Sequence, residues 1–319
     1  MQIYARYDDL PETARGAALA IGNFDGVHVG HRAVVERAAE AAHRLGAPLA
    51  VLMFDPSPRR FFQPDRPPFR LMSLKRRARI LKGLGVGLIY AIPFTAEISR
   101  MTDREFAEQV LHNGLGARAV AVGFDFRFGA GRMGDASSLG LHGLSLGFET
   151  IVTEPVGGNK STGEGKMSSS AIRDRIREGD VAAAAEGLGD WWVVEGNVAD
   201  GEKRGRTIGF PTANLHLGDF LAPKHGIYAI WARIEGEEDW RAGVANFGRT
   251  PTTGERDPLL EAHLFDFGGD IYGKSLEVAF VDYLRPELKF DSLEALVDAM
   301  KGDAAKARDI LARTSKPDN

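Results

Sequence analysis

Residues 17–31 read AALAIGNFDGVHVGH, and this stretch decides the fold. An apolar run stops in a glycine-punctuated turn and passes into a helical pattern, which predicts a strand, a tight loop and a helix beginning near Val27. Such a junction presents unpaired backbone N–H groups and the positive end of a helix dipole, so it suits an anion. Gly22, Gly26 and Gly30 let the backbone approach that anion closely. His28 and His31, three apart, are expected to share the first helical turn and point the same way. Two imidazoles so aimed can donate hydrogen bonds to phosphoryl oxygens as charge builds on them.

The pattern continues on both sides of this loop. Short apolar runs at Ala17–Ile21, Pro48–Phe54, Val86–Ile92, Ala119–Gly123 and Thr150–Val152 alternate with helical stretches. Thr102 and Glu105 have capping-box spacing, and Ser73 is placed to cap a helix over 74–81. Alternation of this kind predicts an α/β unit with a doubly wound parallel sheet and a ligand crevice at the carboxyl ends of its strands. After residue 180 the pattern changes to strands without helices between them: Trp192–Val198, Gly226–Ile234, Arg241–Phe247, Leu260–Phe265 and Ser275–Leu284. That predicts an antiparallel β-barrel, closed by one terminal helix over Ser292–Leu311. The join near Gly187–Asp190 is expected to part a domain of residues 1–182 from one of 183–319.

Bulk properties bound the function. The 319 residues carry 40 basic and 44 acidic side chains for a formal charge of −4, which argues against broad nucleic-acid or membrane binding. Cysteine is absent, so disulfides, thiol nucleophiles and cysteine metal sites are excluded. The N-terminus MQIYARYDDL lacks a signal pattern, and no apolar run approaches the ~20 residues that span a bilayer, so a cytoplasmic location is expected.

Two further segments bear on the first site. GFDFRFGAGRMGD at 123–135 sets Phe124, Phe126 and Phe128 in alternation on an expected extended stretch, with Asp125, Arg127 and Arg132 beside them. Rings on one face suit a flat aromatic ligand, and the arginines suit its phosphate. KMSSSAIR at 166–173 leads from Ser168, Ser169 and Ser170 into a helix carrying Arg173, a second place for phosphate.

The C-terminal half has its own constellation, GNVADGEKRGRTIGFPTANL at 196–215. Gly196, Gly201, Gly205 and Gly209, with Arg206 among the phosphate candidates, suggest a flexible flap over phosphates that is not of the GxxxxGK[ST] type. Thr212 and Asn214 alternate on an extended segment, so a hydroxyl and an amide oxygen project together as hard ligands for magnesium. Glu261, flanked by the apolar strand residues of LLEAHLFDF, is the candidate base, with His263 a weaker one. Arg249, Thr250 and Arg285 are candidate contacts to nucleotide or flavin. The remaining histidines show no metal-ligand spacing, and Trp191 and Trp192 are expected to pack at the join.

GNFDGVHVGH resembles the signature of the nucleotidylyltransferase superfamily. In its FDG form, and with FDFRFGAGRMGD, it is similar to the FAD synthetase half of the bacterial bifunctional riboflavin kinase/FAD synthetase family. GRTIGFPTANL resembles the riboflavin kinase signature of the same family. The resemblance implies a Rossmann-like sheet followed by the barrel, with riboflavin, FMN and ATP as ligands and Mg2+ as the metal. Riboflavin is phosphorylated to FMN with Glu261 as base and Thr212 and Asn214 on the metal. FMN then attacks the α-phosphorus of ATP with pyrophosphate leaving, assisted by His28, His31 and Arg173. Gly22, Asn23, Phe24, Asp25 and Gly30 line the phosphates, Asp25 chiefly by holding the turn, and residues 124–128 with Arg132 hold the flavin. Ser170, Ala171 and Ser57 depart from the usual pattern of threonine, arginine and histidine. KMSSS is also similar to the KMSKS loop of class I aminoacyl-tRNA synthetases, although no anticodon-binding domain is evident. The alternatives are a single-activity adenylyltransferase and a non-catalytic flavin-binding module.

Overall fold

Strands β1 (Gln2–Tyr4), β2 (Ala18–Ile21), β3 (Leu49–Phe54), β4 (Leu88–Ile92), β5 (Ala119–Gly123), β6 (Arg127–Phe128), β7 (Gly134–Asp135) and β8 (Glu149–Thr153) belong to the N-terminal half. The computed structural model describes residues 1–157, 165, 167–199, 210–248 and 258–318. It comprises two compact units, one of Met1–Arg66 with Leu74–Ser168, the other of Pro67–Ser73 with Ser169–Asn319.

In the first unit six strands form one sheet in the order β1-β4-β3-β2-β5-β8, every neighbouring pair parallel. The chain winds outward from β2 in both directions, so β2 is the point where the strand order reverses. Open parallel sheets bind ligands beside such a point, at the carboxyl ends of the strands. Ala20 of β2 pairs with Ala121 of β5, which sets the loops leaving these two strands side by side. Helix α1 (Val29–Leu45) buries Val34, Val35, Ala38, Ala41 and Ala42 and ends at Gly46, whose φ of 57° is left-handed and costs glycine little. Helix α2 (Leu74–Gly83) follows β3, and the Thr102–Glu105 capping box is present, both partners bonded. The core gathers Leu19, Ile21, Leu52, Tyr90, Phe106 and Val120.

One strand adds to the expected set and one expectation is corrected here. β1, which pairs with β4 at the sheet edge, was not foreseen; it is three residues long and largely exposed, so it carries no apolar signal. Residues 124–125 form a turn, closed by the Phe126 N–H donating to the Gly123 carbonyl at 3.0 Å, rather than continuing an extended stretch. The alternation of Phe124, Phe126 and Phe128 is thereby broken.

The second unit opens with helices α4 (Ser169–Glu178) and α5 (Val181–Leu188); helix α3 (Ala136–Leu146) precedes β8 in the first unit. Strands β9 (Trp192–Asn197), β10 (Ala213–Leu215), β11 (Gly226–Ile234), β12 (Arg241–Gly248), β13 (Leu259–Leu264) and β14 (Ser275–Arg285) form an antiparallel sheet in the order β10-β13-β12-β11-β14-β9. Its two ends are joined by a bridge in which the Ala199 N–H donates to the Asn214 carbonyl at 2.9 Å, rolling the sheet toward a barrel. Helix α6 (Leu293–Leu311), capped by the Ser292 hydroxyl, lays Ala307 and Leu311 on an apolar cluster containing Trp231, Trp240, Val244 and Phe265. The strip Pro67–Ser73 is stitched into this unit. Arg70 exchanges backbone hydrogen bonds with Asp219 and Leu221, and the indole of fully buried Trp192 donates to the Leu71 carbonyl at 3.0 Å. Trp191, by contrast, donates to the Ser315 carbonyl.

Candidate active site

In the first unit the loop from Gly22 to Val27 leaves β2, and α1 begins two residues later than expected. His28 is therefore the N-cap, not a first-turn residue. Its Nδ1 accepts the backbone N–H of Gly30 at 3.1 Å and of His31 at 3.3 Å. An atom that accepts two N–H groups carries no proton, so the proton of His28 sits on Nε2 as a donor. His28 is only 8% exposed, and its ring stacks on that of His31 with centroids 3.7 Å apart and planes at 21°. Two charged imidazoles at that distance would repel, and the neutral His28 that the cap requires removes the conflict. Gly30 makes room for this arrangement, because a Cβ there would stand 3.0 Å from Cε1 of the His28 ring.

The loop backbone is strained at residues that are not glycine. Phe24 has φ 49° and Val27 φ 42°, each a left-handed conformation costing about 1–3 kcal/mol. Both side chains are completely buried, which returns about 1.5–3 kcal/mol apiece and holds the shape. Asn23 is exposed and Asp25 half-buried. Arg77 of α2, nearly fully buried, donates to the Asn23 carbonyl at 3.3 Å and faces the Asp55 carboxylate at 3.3 Å, tying the loop to the end of β3. This tie was not foreseen: in LKRRARILK an inward arginine looks like any other member of a solvated basic run.

The loop after β5 lies next to the histidine loop through the β2–β5 pairing. Phe126 and Phe128 stack on each other at 5.3 Å, and Phe128 belongs to the core beside Phe106. Phe124, in the turn, is half-buried, and Asp125 is exposed. Arg127 pairs with Asp135 at 3.2 Å, and Arg132 is exposed with a φ of 59°. Gly129 and Gly134 are required for packing, since a Cβ on either would come within 2.5 Å of Asp103 atoms.

Ser168 ends the first unit, and Ser169 and Ser170 open α4 in the second. Arg173 is buried there; its Nε donates to the Phe69 carbonyl at 2.8 Å, and its guanidinium lies over the Phe69 ring. The expected grouping thus has its histidines in one unit and its arginine in the other.

In the barrel, Asn214 of β10 is directly opposite Glu261 of β13, which is directly opposite Asn246 of β12. Leu260 and Ala262 are buried on one face of β13 and half-buried Glu261 lies on the other. Thr212, half-buried, immediately precedes β10. Asn214 is 8% exposed, and its Oδ1 is buried without a hydrogen-bond partner among the described residues. A buried amide oxygen of this kind is what a hard, hydrated cation takes up, so the site fits magnesium. His263 has a structural task, its Nδ1 donating to the Pro211 carbonyl at 2.8 Å just ahead of Thr212. Arg285 is also occupied, held by Asp303 through contacts of 2.6–3.1 Å. Gly201, Gly205, Arg206, Gly209, Arg249 and Thr250 lie outside the described residues.

Known proteins divide along the same line. Residues 10–171 match the FAD synthetase family and residues 188–311 the riboflavin kinase family. A relative from Pseudomonas fluorescens named bifunctional riboflavin kinase/FMN adenylyltransferase is 38% identical over 98% of both chains. Proteins of the same name from Escherichia coli strain K12 and Bacillus subtilis strain 168 are 36% and 32% identical over 94% and 93% of both chains. A solved structure described as a macrolide-efflux protein from Streptococcus pneumoniae superposes with a TM-score of 0.84 at 31% identity, covering 98% of this chain and 99% of that one. Among the described residues here, no helix is long and apolar enough to cross a membrane. A parallel sheet with histidines at its reversal point, followed by a barrel bearing a carboxylate between two amides, defines a two-part phosphate-transfer enzyme. The chain belongs to the bifunctional riboflavin kinase/FMN adenylyltransferase family.

Proposed function

We propose that the two reactions of this bifunctional enzyme take place at separate sites, with FMN adenylylation at the β2–α1 loop and riboflavin phosphorylation at the Asn214–Glu261 pair. The functional boundary is assigned between residues 182 and 183, between the two family matches at 10–171 and 188–311.

The capped His28 carries the first assignment, because its geometry supplies a neutral imidazole with an Nε2–H donor at a helix N-terminus. The FMN phosphate oxygen attacks the α-phosphorus of ATP in line, that bond forms as the bond to pyrophosphate breaks, and no protein nucleophile takes part. His28 Nε2–H, His31 and the loop N–H groups around Gly22–Asp25 stabilise charge on the phosphoryl oxygens. Ser168, Ser169, Ser170 and Arg173 serve the leaving pyrophosphate. Phe124, Asp125, Phe126, Arg127, Phe128 and Arg132 form the flavin side, Phe128 from within the core.

In the barrel, Glu261 accepts the proton of the riboflavin 5′-hydroxyl as that oxygen attacks the γ-phosphorus of ATP and ADP leaves. Thr212 and Asn214 would hold a magnesium ion, which when bound neutralises phosphate charge. Gly201, Gly205, Arg206 and Gly209 are assigned to nucleotide binding from the sequence pattern alone. The enzyme works in the cytoplasm, with riboflavin, FMN and ATP as its small-molecule partners.

Incubation with riboflavin, ATP and magnesium tests the assignment. FMN is expected first, then FAD. His31→Ala should leave FMN accumulating and no FAD, and loss of FMN formation in that variant would overturn the division of sites.

A further inference from the structure

Asn246 on β12 and Asn214 on β10 flank Glu261 from its two neighbouring strands. Residues directly opposite in antiparallel strands project to the same face with Cβ atoms about 4.5–5.5 Å apart, so the three polar side chains make one row. Asn246 Nδ2 donates to Glu261 Oε2 at 3.4 Å. A carboxylate only accepts, which fixes the amide with its nitrogen toward Glu261 and its Oδ1 turned away. That Oδ1 is buried and, like the Oδ1 of Asn214, has no hydrogen-bond partner among the described residues. Two indole nitrogens, of Trp231 and Trp240, share this state, but they lie in the apolar cluster beneath α6. The two asparagines instead flank a carboxylate. Leucine would fill the same volume without a buried acceptor, so the unpaired Oδ1 of Asn246, set apart from the Asn214 oxygen that suits the metal, points to a ligand that donates a hydrogen bond.

We propose that Asn246 is a substrate-contacting residue of the kinase site, its Nδ2–H holding the Glu261 carboxylate in place while its Oδ1 accepts a hydrogen bond from a hydroxyl of the riboflavin polyol chain. This rests on the assignment of Glu261 as base. One amide would then couple the base to the alcohol it deprotonates: the donor side sets the direction of the carboxylate, and the acceptor side sets the position of the chain bearing the attacking oxygen.

The test uses the full chain and compares Asn246→Leu, Asn246→Asp and Glu261→Gln with the parent. Riboflavin binding is read without ATP from quenching of flavin fluorescence, kinase kcat and KM from FMN production, and folding from thermal melting and conversion of added FMN to FAD. Asn246→Leu, which loses donor and acceptor, is expected to weaken riboflavin binding roughly tenfold and to lower kcat at least as much. Asn246→Asp keeps an acceptor but loses the donor and sets like charge beside Glu261, so binding should stay within about threefold while kcat falls at least tenfold. The inference is overturned if a folded Asn246→Asp turns over like the parent, or if the KM for ATP moves in place of riboflavin binding. Should Asn246→Leu fail to fold, the aspartate variant decides alone. An active Glu261→Gln would sink the base assignment itself, whereas an inactive Glu261→Gln beside parent-like asparagine variants would sink only the role of Asn246.

Discussion

The Nδ1 of His28 accepts the backbone N–H of Gly30 at 3.1 Å, so one ring serves as helix cap while its Nε2 bears the proton. The two roles separate by substitution. His28→Ala should cost about 1 kcal/mol of stability for the lost cap, and His28→Asn, whose side chain can cap, should recover most of it. Both should slow FAD synthesis roughly 10²-fold or more. Thermal melting paired with chromatographic measurement of FAD separates the effects, and an active His28→Asn enzyme would show that the cap, not the Nε2–H, is what matters.

Gly30→Ala tests the same arrangement from the backbone side. Its Cβ would stand 3.0 Å from Cε1 and 3.1 Å from Nδ1 of His28, so the ring must shift by a few tenths of an ångström. Misplacement on this scale is expected to cost about tenfold or more in FAD formation. FMN formation from riboflavin should hold at the parental rate.

Glu261→Gln keeps the shape of the row in the barrel and removes the proton acceptor. Loss of a positioned general base lowers turnover by about 10²–10⁴-fold. FMN supplied directly should still become FAD. A variant that melts normally yet loses both reactions together would show that the active sites are not separate.

Arg285 illustrates how a candidate ligand contact becomes a tie between β14 and α6. Its guanidinium grips Asp303, and the two side chains are only 21% and 12% exposed. A double-mutant cycle with Arg285→Leu and Asp303→Leu should give a coupling of about 1–3 kcal/mol in thermal or urea unfolding. The KM for riboflavin should stay unchanged in Arg285→Leu if the residue is structural, and a large increase would return it to the flavin site.

Alkaline stability tests Tyr90 in the core of the first unit. Burial pushes its hydroxyl from an ordinary value of 10.0 up to about 12, with the neighbouring Tyr4 adding to the rise, and the hydroxyl donates to the Ala14 carbonyl at 2.6 Å. A folded-state value raised above the unfolded one gives stability that is complete below pH 10 and lost as pH climbs toward 12. Tyr90→Phe should be less stable at neutral pH, through the lost hydrogen bond, yet show a flatter decline above pH 10 in urea titrations. Parallel curves for parent and variant would count against the buried hydroxyl.

The architecture was largely legible because its signals are local. Ala18–Ile21 and Leu49–Phe54 are buried strands that read as apolar runs, and the alternation of strand with helix implied the parallel winding. Ser292 and the Thr102–Glu105 pair marked their helix starts because capping is decided within four residues. What escaped depends on partners distant in the chain. Asn246 looks like any strand residue until register sets it against Glu261, fifteen positions away. Phe124 left the expected alternation because the Phe126 N–H found the Gly123 carbonyl, a turn that three phenylalanines do not advertise. His28 was read inside the helix because histidine is an uncommon cap; only the folded ring, tucked over a glycine, reveals the bonds it makes.

The strip Pro67–Ser73 makes the enzyme hard to take apart. A fragment expressed from Ser169 onward would leave the indole of Trp192 without the Leu71 carbonyl and the side chain of Arg173 without that of Phe69, two vacancies inside its own core. Gene surgery at the obvious seam therefore amputates a piece of the half it means to keep. A self-sufficient kinase fragment would need those seven residues grafted back, or supplied as a separate peptide that complements it.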